Sequence, residues 1–263
     1  MAVYYRYSRR SMFITRFTAL LALVGLAACE ASTRFPIDGE SAIGSEAFSA
    51  SRAFAGPEEF PPTEFAGYGI VAFPTDPRVH TDSRERFTVL CSAYIASLRP
   101  VSELAEAGIP PSEQMVTLFP VRDGEIAARI EFTADVAGDF QAACQLAANN
   151  YDLLTAQTAI KHAELADRRT DGIRSFGRRG PYLLAWSPGR SKGQKDTLVL
   201  VADLSDDESY EQALSDFQLW AHDIQLNSDL WREGWTLEGL KLAIQRWADR
   251  RSPAILRLLG IPE

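Results

Sequence analysis

Apolar positions change their spacing along the chain, and each spacing predicts an element. Tyr68-Gly69-Ile70-Val71-Ala72-Phe73 is a short continuous apolar run closed by Pro74, the signature of a buried strand. In residues 83–98, Phe87, Leu90, Cys91, Tyr94 and Leu98 fall on one helical stripe, and Arg99-Pro100 stops it. Gln114 to Val121 reads as a second strand. The two strands and the helix between them predict a β-α-β unit with a parallel crossover. Asp139 can cap a second helix, whose stripe runs through Phe140, Ala143, Cys144, Ala147, Tyr151 and Leu154 to Leu165, with a break or bend at Asn149-Asn150. Pro181–Trp186 and Thr197–Asp203 are two further strands flanking a polar, glycine-containing segment, a hairpin with a long tip. Ser205-Asp206-Asp207-Glu208 matches a capping box before an amphipathic stretch from Tyr210 to Ile224. Thr236 opens another helix through Trp247, and Ser252-Pro253 begins a short last one that Gly260 ends.

The expectation is one α/β or α+β domain over residues 67–263. It holds a four-stranded mixed sheet, a β-α-β unit plus a β-hairpin, packed with helices and followed by a C-terminal helical segment. Residues 29–66 read as a flexible tether. Ser, Ala, Gly, Pro and Glu dominate there, and neither period persists. Five Phe in the stretch are too many for a pure spacer, so parts of it should dock on the body or on a partner.

The start of the chain has a different character. Arg6, Arg9, Arg10 and Arg16 are unopposed by any acid, and Phe17–Ala28 is an uncharged run of 12 residues. A membrane-spanning helix needs about 20 apolar residues, so the run fits the apolar core of a secretory signal peptide over residues 1–28. It ends Leu26-Ala27-Ala28-Cys29, which resembles the bacterial lipoprotein signal. That resemblance covers only the first 29 of 263 residues. It implies cleavage before Cys29, acylation of Cys29, and a membrane partner reached through the N-terminal lipid, with the body in the periplasm. Glu30 in place of an inner-membrane cue tilts the expectation to the outer membrane. Ser8-Arg9-Arg10-Ser11-Met12-Phe13 also resembles a twin-arginine export signal, so general secretion and folded export both stay open.

Cleavage alters the charge. The mature chain keeps 23 Lys+Arg against 35 Asp+Glu, net −12, which argues against broad nucleic-acid binding. Within this acidic body, residues 168–195 carry Arg168, Arg169, Arg174, Arg178, Arg179, Arg190, Lys192 and Lys195 against Asp171 alone. Arginine clusters suit phosphate and carboxylate groups, so this segment is the candidate anion- or partner-binding surface. Lipid headgroups, acidic glycans and an acidic envelope protein all fit it. The alternative is that these residues pair with the body's own acids. Cys91 and Cys144 lie on the apolar stripes of two helices. They are a candidate disulfide if those helices pack side by side, and otherwise two separate buried thiols.

Catalytic signals are sparse. There is no HExxH, GxSxG, P-loop or CxxC, and no catalytic residue, cofactor or metal ligand is assigned. His80, His162 and His222 read as surface residues. Asp206 and Asp207 read as acids favourable at a helix start. Four of the five Trp lie between Trp220 and Trp247; most read as core, with Trp231 and Trp235 the best exposed candidates. The function these features imply is a non-enzymatic cell-envelope lipoprotein, an accessory or binding component presenting a basic loop surface. The alternative is a lipid-anchored envelope hydrolase with a non-motif active site.

Overall fold

The computed structural model describes residues 48–60, 64–167, 176, 179–187, 198–235 and 257–259. All belong to one compact unit, Gly44–Glu263. The strands are β1 (Ser49–Ala55), β2 (Gly67–Ala72), β3 (Arg99–Pro100), β4 (Gln114–Pro120), β5 (Tyr182–Trp186), β6 (Val199–Asp203) and β7 (Arg257–Leu259). The helices are α1 (Thr81–Ser97), α2 (Val101–Glu106), α3 (Gly124–Glu131), α4 (Phe140–Asn149), α5 (Leu153–Asp167), α6 (Tyr210–Leu226) and α7 (Ser228–Glu233). A π-turn, Phe132–Val136, follows α3. The fold is α/β, with a mixed sheet in the order β3-β1-β4-β2-β5-β6-β7.

β1 and β2 both run parallel to β4, and β3 runs parallel to β1. β5, β6 and β7 continue the sheet antiparallel from β2. β2 and β4 are buried along their whole length, which explains their unbroken apolar runs. α1 connects them as part of the β-α-β crossover, and β5–β6 is the hairpin. The long helical pattern after Asp139 divides into α4 and α5 at Asn149-Asn150.

Several expectations are corrected. Among the described residues the sheet has seven strands rather than four, although β3 is only two residues long. The tether does not extend to residue 66: β1 lies inside the sheet between β3 and β4, and Phe48 and Phe54 are buried. The sequence SASRAFA hides this strand, because Ser, Ala and Arg supply its alternation with few large apolar residues. The capping box lies four residues later than Ser205. Ser209 Oγ accepts from the Gln212 N–H at 3.2 Å, and Gln212 Oε1 accepts from the Ser209 N–H at 3.1 Å. Ser205 is held back by Asp203, whose Oδ1 accepts its N–H at 2.9 Å and its hydroxyl. The last helix is overturned at Arg257–Leu259, which is a strand pairing with β6, so the C-terminal segment is not wholly helical. A short apolar run suits either element, and the open edge of β6 decides it. The helix expected over Thr236–Trp247 lies outside the described residues. Trp231 is buried, with its ring 6.2 Å from Trp220 and 5.0 Å from the half-buried Trp235.

The core is aromatic where α1 meets the sheet. Phe87 packs 4.8 Å from Phe73 and 5.1 Å from Phe119. Tyr94 crosses Phe54 and Phe119 at 5.8 and 5.4 Å. Buried phenols need partners. The Tyr94 hydroxyl lies 2.6 Å from the Thr117 carbonyl and 3.0 Å from that of Ala53. Tyr151 accepts the Phe73 N–H at 2.7 Å and donates to the Phe73 carbonyl at 3.2 Å. Trp220 Nε1 donates to Thr117 Oγ1 at 2.9 Å, fastening α6 to β4.

α1 also packs on α4, and there Cys91 and Cys144 form a disulfide, with Cα atoms 5.7 Å apart and both residues fully buried. On the far side of β1, β3 reaches only Ser51 and Arg52, so the N–H of Phe54 faces outward. α3 covers that edge, and Glu131 Oε1 accepts the Phe54 N–H at 3.2 Å. Arg52, 2% exposed, donates from Nε to the Leu98 carbonyl at 2.9 Å and from Nη2 to Asp135.

Two outcomes follow for stability. The disulfide closes a span of 53 residues, so Cys91→Ser with Cys144→Ser should cost about 4 kcal/mol in urea unfolding, as the chain-entropy relation gives for such a loop. Burial raises the Glu131 carboxyl above the ordinary glutamate value of 4.5; the Phe54 N–H and Arg52 oppose the shift, while Asp135 and Glu59 add to it. Its ionised form is therefore disfavoured in the fold, a penalty present in full above the raised value and lost as pH falls towards 4.5. Glu131→Gln should be more stable than wild type at neutral pH, and the advantage should shrink as denaturant melts are taken to about pH 5.

Candidate functional site

Ligand clefts in α/β sheets gather at the carboxyl ends of parallel strands. β2 ends at Ala72, and Phe73–His80 carry the chain into α1. Asp76 and Arg78 stiffen that turn: Arg78 Nη2 donates to Asp76 Oδ2 at 2.6 Å, and the Arg78 N–H donates to Asp76 Oδ1 at 2.9 Å. This pairing holds the Asp76 carboxyl below its ordinary range. Between the turn, the first turns of α1 and the segment after β6 lies a cleft of about 750 Å³. His80, Asp82, Ser83, Glu85, Arg86, Arg179 and Glu208 line it together with Phe73, Pro77 and Val89.

Arg86 organises the cleft. Its Nε donates to the Asp207 carbonyl at 3.1 Å, and its Nη2 to those of Leu204 and Ser205 at 2.7 and 3.1 Å. Its Nη1 donates to the Arg179 carbonyl at 3.1 Å. Burial, with the nearby charge of Arg179, lowers its pKa, and Asp207, Glu208 and Asp203 counter this. The side chain is thus committed to backbone carbonyls and joins three segments. Arg179 lies beside it, and its Nη2 donates to Glu208 Oε1 at 2.6 Å, which holds the Glu208 carboxyl below its ordinary value. Gly180 brings Arg179 close to the β2 turn. It has φ +46°, and a Cβ there would come within 2.4 Å of Pro74 Cδ.

Of the sequence-predicted surface, Arg179 is the described member, and it is ion-paired. Cys29, Arg168, Arg169, Arg174, Arg178, Arg190 and Lys192 lie outside the described residues. The register of β5 places the described residues that flank this segment. Tyr182 pairs with Ala72 at the carboxyl end of β2, whereas Trp186 pairs with Tyr68 near its start. Arg179 therefore sits at one end of the sheet. Ser187 and Leu198, which bound the segment carrying Arg190 and Lys192, lie at the other, a strand length of about 17 Å away.

Sequence reasoning passed over Arg86 and Arg52. Each had a signal: Arg86 adjoins the buried Phe87 on α1, and Arg52 falls between Ala50 and Phe54 on the buried side of a strand. His80 precedes α1 without capping it through its side chain and is exposed. His222 is exposed, as expected of a surface residue, whereas His162 is half-buried. A second concavity, about 520 Å³, holds Glu58, Glu59, Glu64 and Glu131 over Phe65 and Leu118. Three of these acids have structural work, since Glu58 accepts from the Gly124 N–H, Glu59 from that of Gly56, and Glu131 from that of Phe54. Among the described residues no group of three or more His, Cys, Asp or Glu could hold a metal ion. Among them, too, no helix is long and apolar enough to cross a membrane.

Arg86→Met should remove four carbonyl contacts and lower the unfolding free energy by about 3 kcal/mol. Arg86→Lys should recover less than half of that, because a point ammonium cannot span four carbonyls from two segments. Thermal and urea melts check both. Compared with protein-family models, with curated proteins and with solved structures, the chain matches none.

Proposed function

We propose that this chain is a non-enzymatic lipoprotein of the bacterial cell envelope, an accessory or binding component anchored through Cys29 that presents basic residues to an anionic ligand. The observation that carries the reading is the division of labour among three cysteines. Cys91 and Cys144 are consumed in a buried cross-link of the kind an oxidising compartment permits, while the third closes a lipobox. Two or more acyl chains on that residue would anchor the body stably. The basic residues flanking β5 supply the binding chemistry.

The test uses the native host. Wild type should incorporate a fatty-acid probe, and Cys29→Ala should not. Protein purified in detergent should be retained on polygalacturonate resin and released by salt. Replacing Arg174, Arg178, Arg190 and Lys192 by Glu should weaken retention by about tenfold or more. A wild type without label removes the lipid anchor, and unchanged retention removes the basic surface. The cleft beside His80 and Ser83 is the one observation that favours the hydrolase alternative. Ester hydrolysis by the purified protein that disappears in His80→Ala would establish it.

A further inference from the structure

The two ends of the sheet differ in chemistry. β1, β4 and β2 are parallel and begin at Ser49, Gln114 and Gly67, and this is the entry end, where the chain passes from Phe48 into β1. Phe48 is buried there, with the Arg232 guanidinium 5.5 Å from its ring centre. Ser51 pairs with Arg99 and Arg52 with Pro100, so α1 finishes at the entry end. The π-turn lies beside that end of α1: Ser97, Leu98 and Arg99 line one hollow with Ala134, Asp135 and Gly138, and Arg52 holds Asp135 from the middle of β1. Gly138, φ +68°, then reverses the chain into α4. α4 runs to Asn149, which takes the Arg84 guanidinium near the start of α1, at the opposite end.

The π-turn reverses the usual rule of burial. Ala134 is 1% exposed, while Phe132 is 62%, Val136 71% and, just beyond, Phe140 38% exposed. Three large apolar side chains thus project from one reversal around a buried small one. The acids around them are already engaged. Asp135 pairs with Arg52, Asp139 Oδ1 accepts the Ala142 N–H at 2.9 Å, Glu131 takes the Phe54 N–H, and Glu103 pairs with Arg99. Each of these carboxylates thus has a partner, with Asp139 and the Glu103–Arg99 pair remaining at the surface beside the apolar reversal.

We propose that Phe132, Val136 and Phe140 form a foot that rests in the interfacial layer of the bilayer to which Cys29 is anchored. The inference rests on the lipid-anchored reading above. Its occupant is fixed by chain length and entry point. Eighteen residues lie between Cys29 and Phe48 and let the two reach at most about 65 Å apart, so the body stays beside the membrane, and the chain enters it at the end where the foot projects. Interfacial apolar faces bury about 5–10 Å deep, a depth that exposed Phe and Val on a tight reversal can reach. In this orientation the cleft at Arg86 and Arg179 faces away from the bilayer.

The experiment uses the full acylated chain reconstituted in phosphatidylcholine vesicles. Cys29 is acylated and Cys91 is bonded to Cys144, so Val136→Cys offers a single thiol for an environment-sensitive dye. Leu154→Cys, at the opposite end where the Asp152 N–H donates to the Pro120 carbonyl, serves as control. Reconstitution should shift the emission at position 136 to the blue, and lipids brominated near the headgroup should quench it about fivefold more than at position 154. Adding Phe132→Ser and Phe140→Ser should abolish the difference. Equal, weak quenching at both positions on an acylated chain overturns the foot and leaves the anchor standing. If Cys29 proves unacylated, the anchor fails. With Cys29→Ser added, so that position 136 is again the one free thiol, the same dye then decides the foot separately: a blue shift with added vesicles supports it, and no shift overturns it. Should the labelled variants fail to fold, amide exchange on the unmodified chain probes the same contact. Residues 132–140 should be slowed at least about threefold in vesicles relative to the detergent-free chain, and equal exchange overturns the proposal.

Discussion

A guanidinium buried in the middle of β1 sets the arrangement of this end of the molecule. Arg52 points into the protein from a strand whose outer neighbour covers only two of its residues. A charge so placed must be paired, and a strand edge so placed must be covered. Both demands are met by one passage of chain. α3 descends along the open edge and gives Glu131 to the Phe54 N–H. The π-turn then inserts the extra residue that swings Asp135 onto Arg52. The π-turn is thus the geometry that lets an edge-covering helix also neutralise a charge.

The interior of the sheet is joined by side-chain hydrogen bonds as well as by apolar contact. Thr117 is the meeting point, its carbonyl bound by Tyr94 from α1 and its hydroxyl by Trp220 from α6. These two helices also pack on one another, and Ser97 Oγ donates to the Leu214 carbonyl at 3.2 Å. Burial lifts the Tyr94 and Tyr151 hydroxyls far above the usual phenol range, so both stay neutral donors at any physiological pH. The disulfide adds a covalent tie from α1 to α4. α5 contributes differently: Ala156, Ala159, Ala163 and Ala166 are buried, and a stripe of small residues lets the helix lie close over β2 and β5.

Elements with strong periodicity were legible in the sequence. The continuous runs of β2 and β4, the stripe of α1 and the break between α4 and α5 follow from side-chain spacing alone. Elements whose identity depends on a distant neighbour were not. β1 has the composition of a linker and becomes a strand because β4 offers it a partner. Arg257–Leu259 becomes a strand because β6 has an open edge. α3 and the π-turn answer the needs of Arg52, a residue 80 positions earlier than the start of the turn. The candidate site was legible only as charge. A cluster of arginines along the sequence carries no information on which strand end receives each one. The register of β5 on β2 puts Tyr182 and Trp186 at opposite ends of β2, and Glu208 pairs with Arg179 through a turn that no local pattern encodes.

Arg86 gives the cleft a mechanical property. One planar group grips the carbonyls of Arg179, Leu204, Ser205 and Asp207, and it grows from a helix tied to the core by aromatic packing and a disulfide. The backbone at residue 179 and the turn after β6 therefore share a single bearing. A pull on either is transmitted through that bearing to α1 and so to the whole core, and the two segments move as one rigid rim rather than as independent loops.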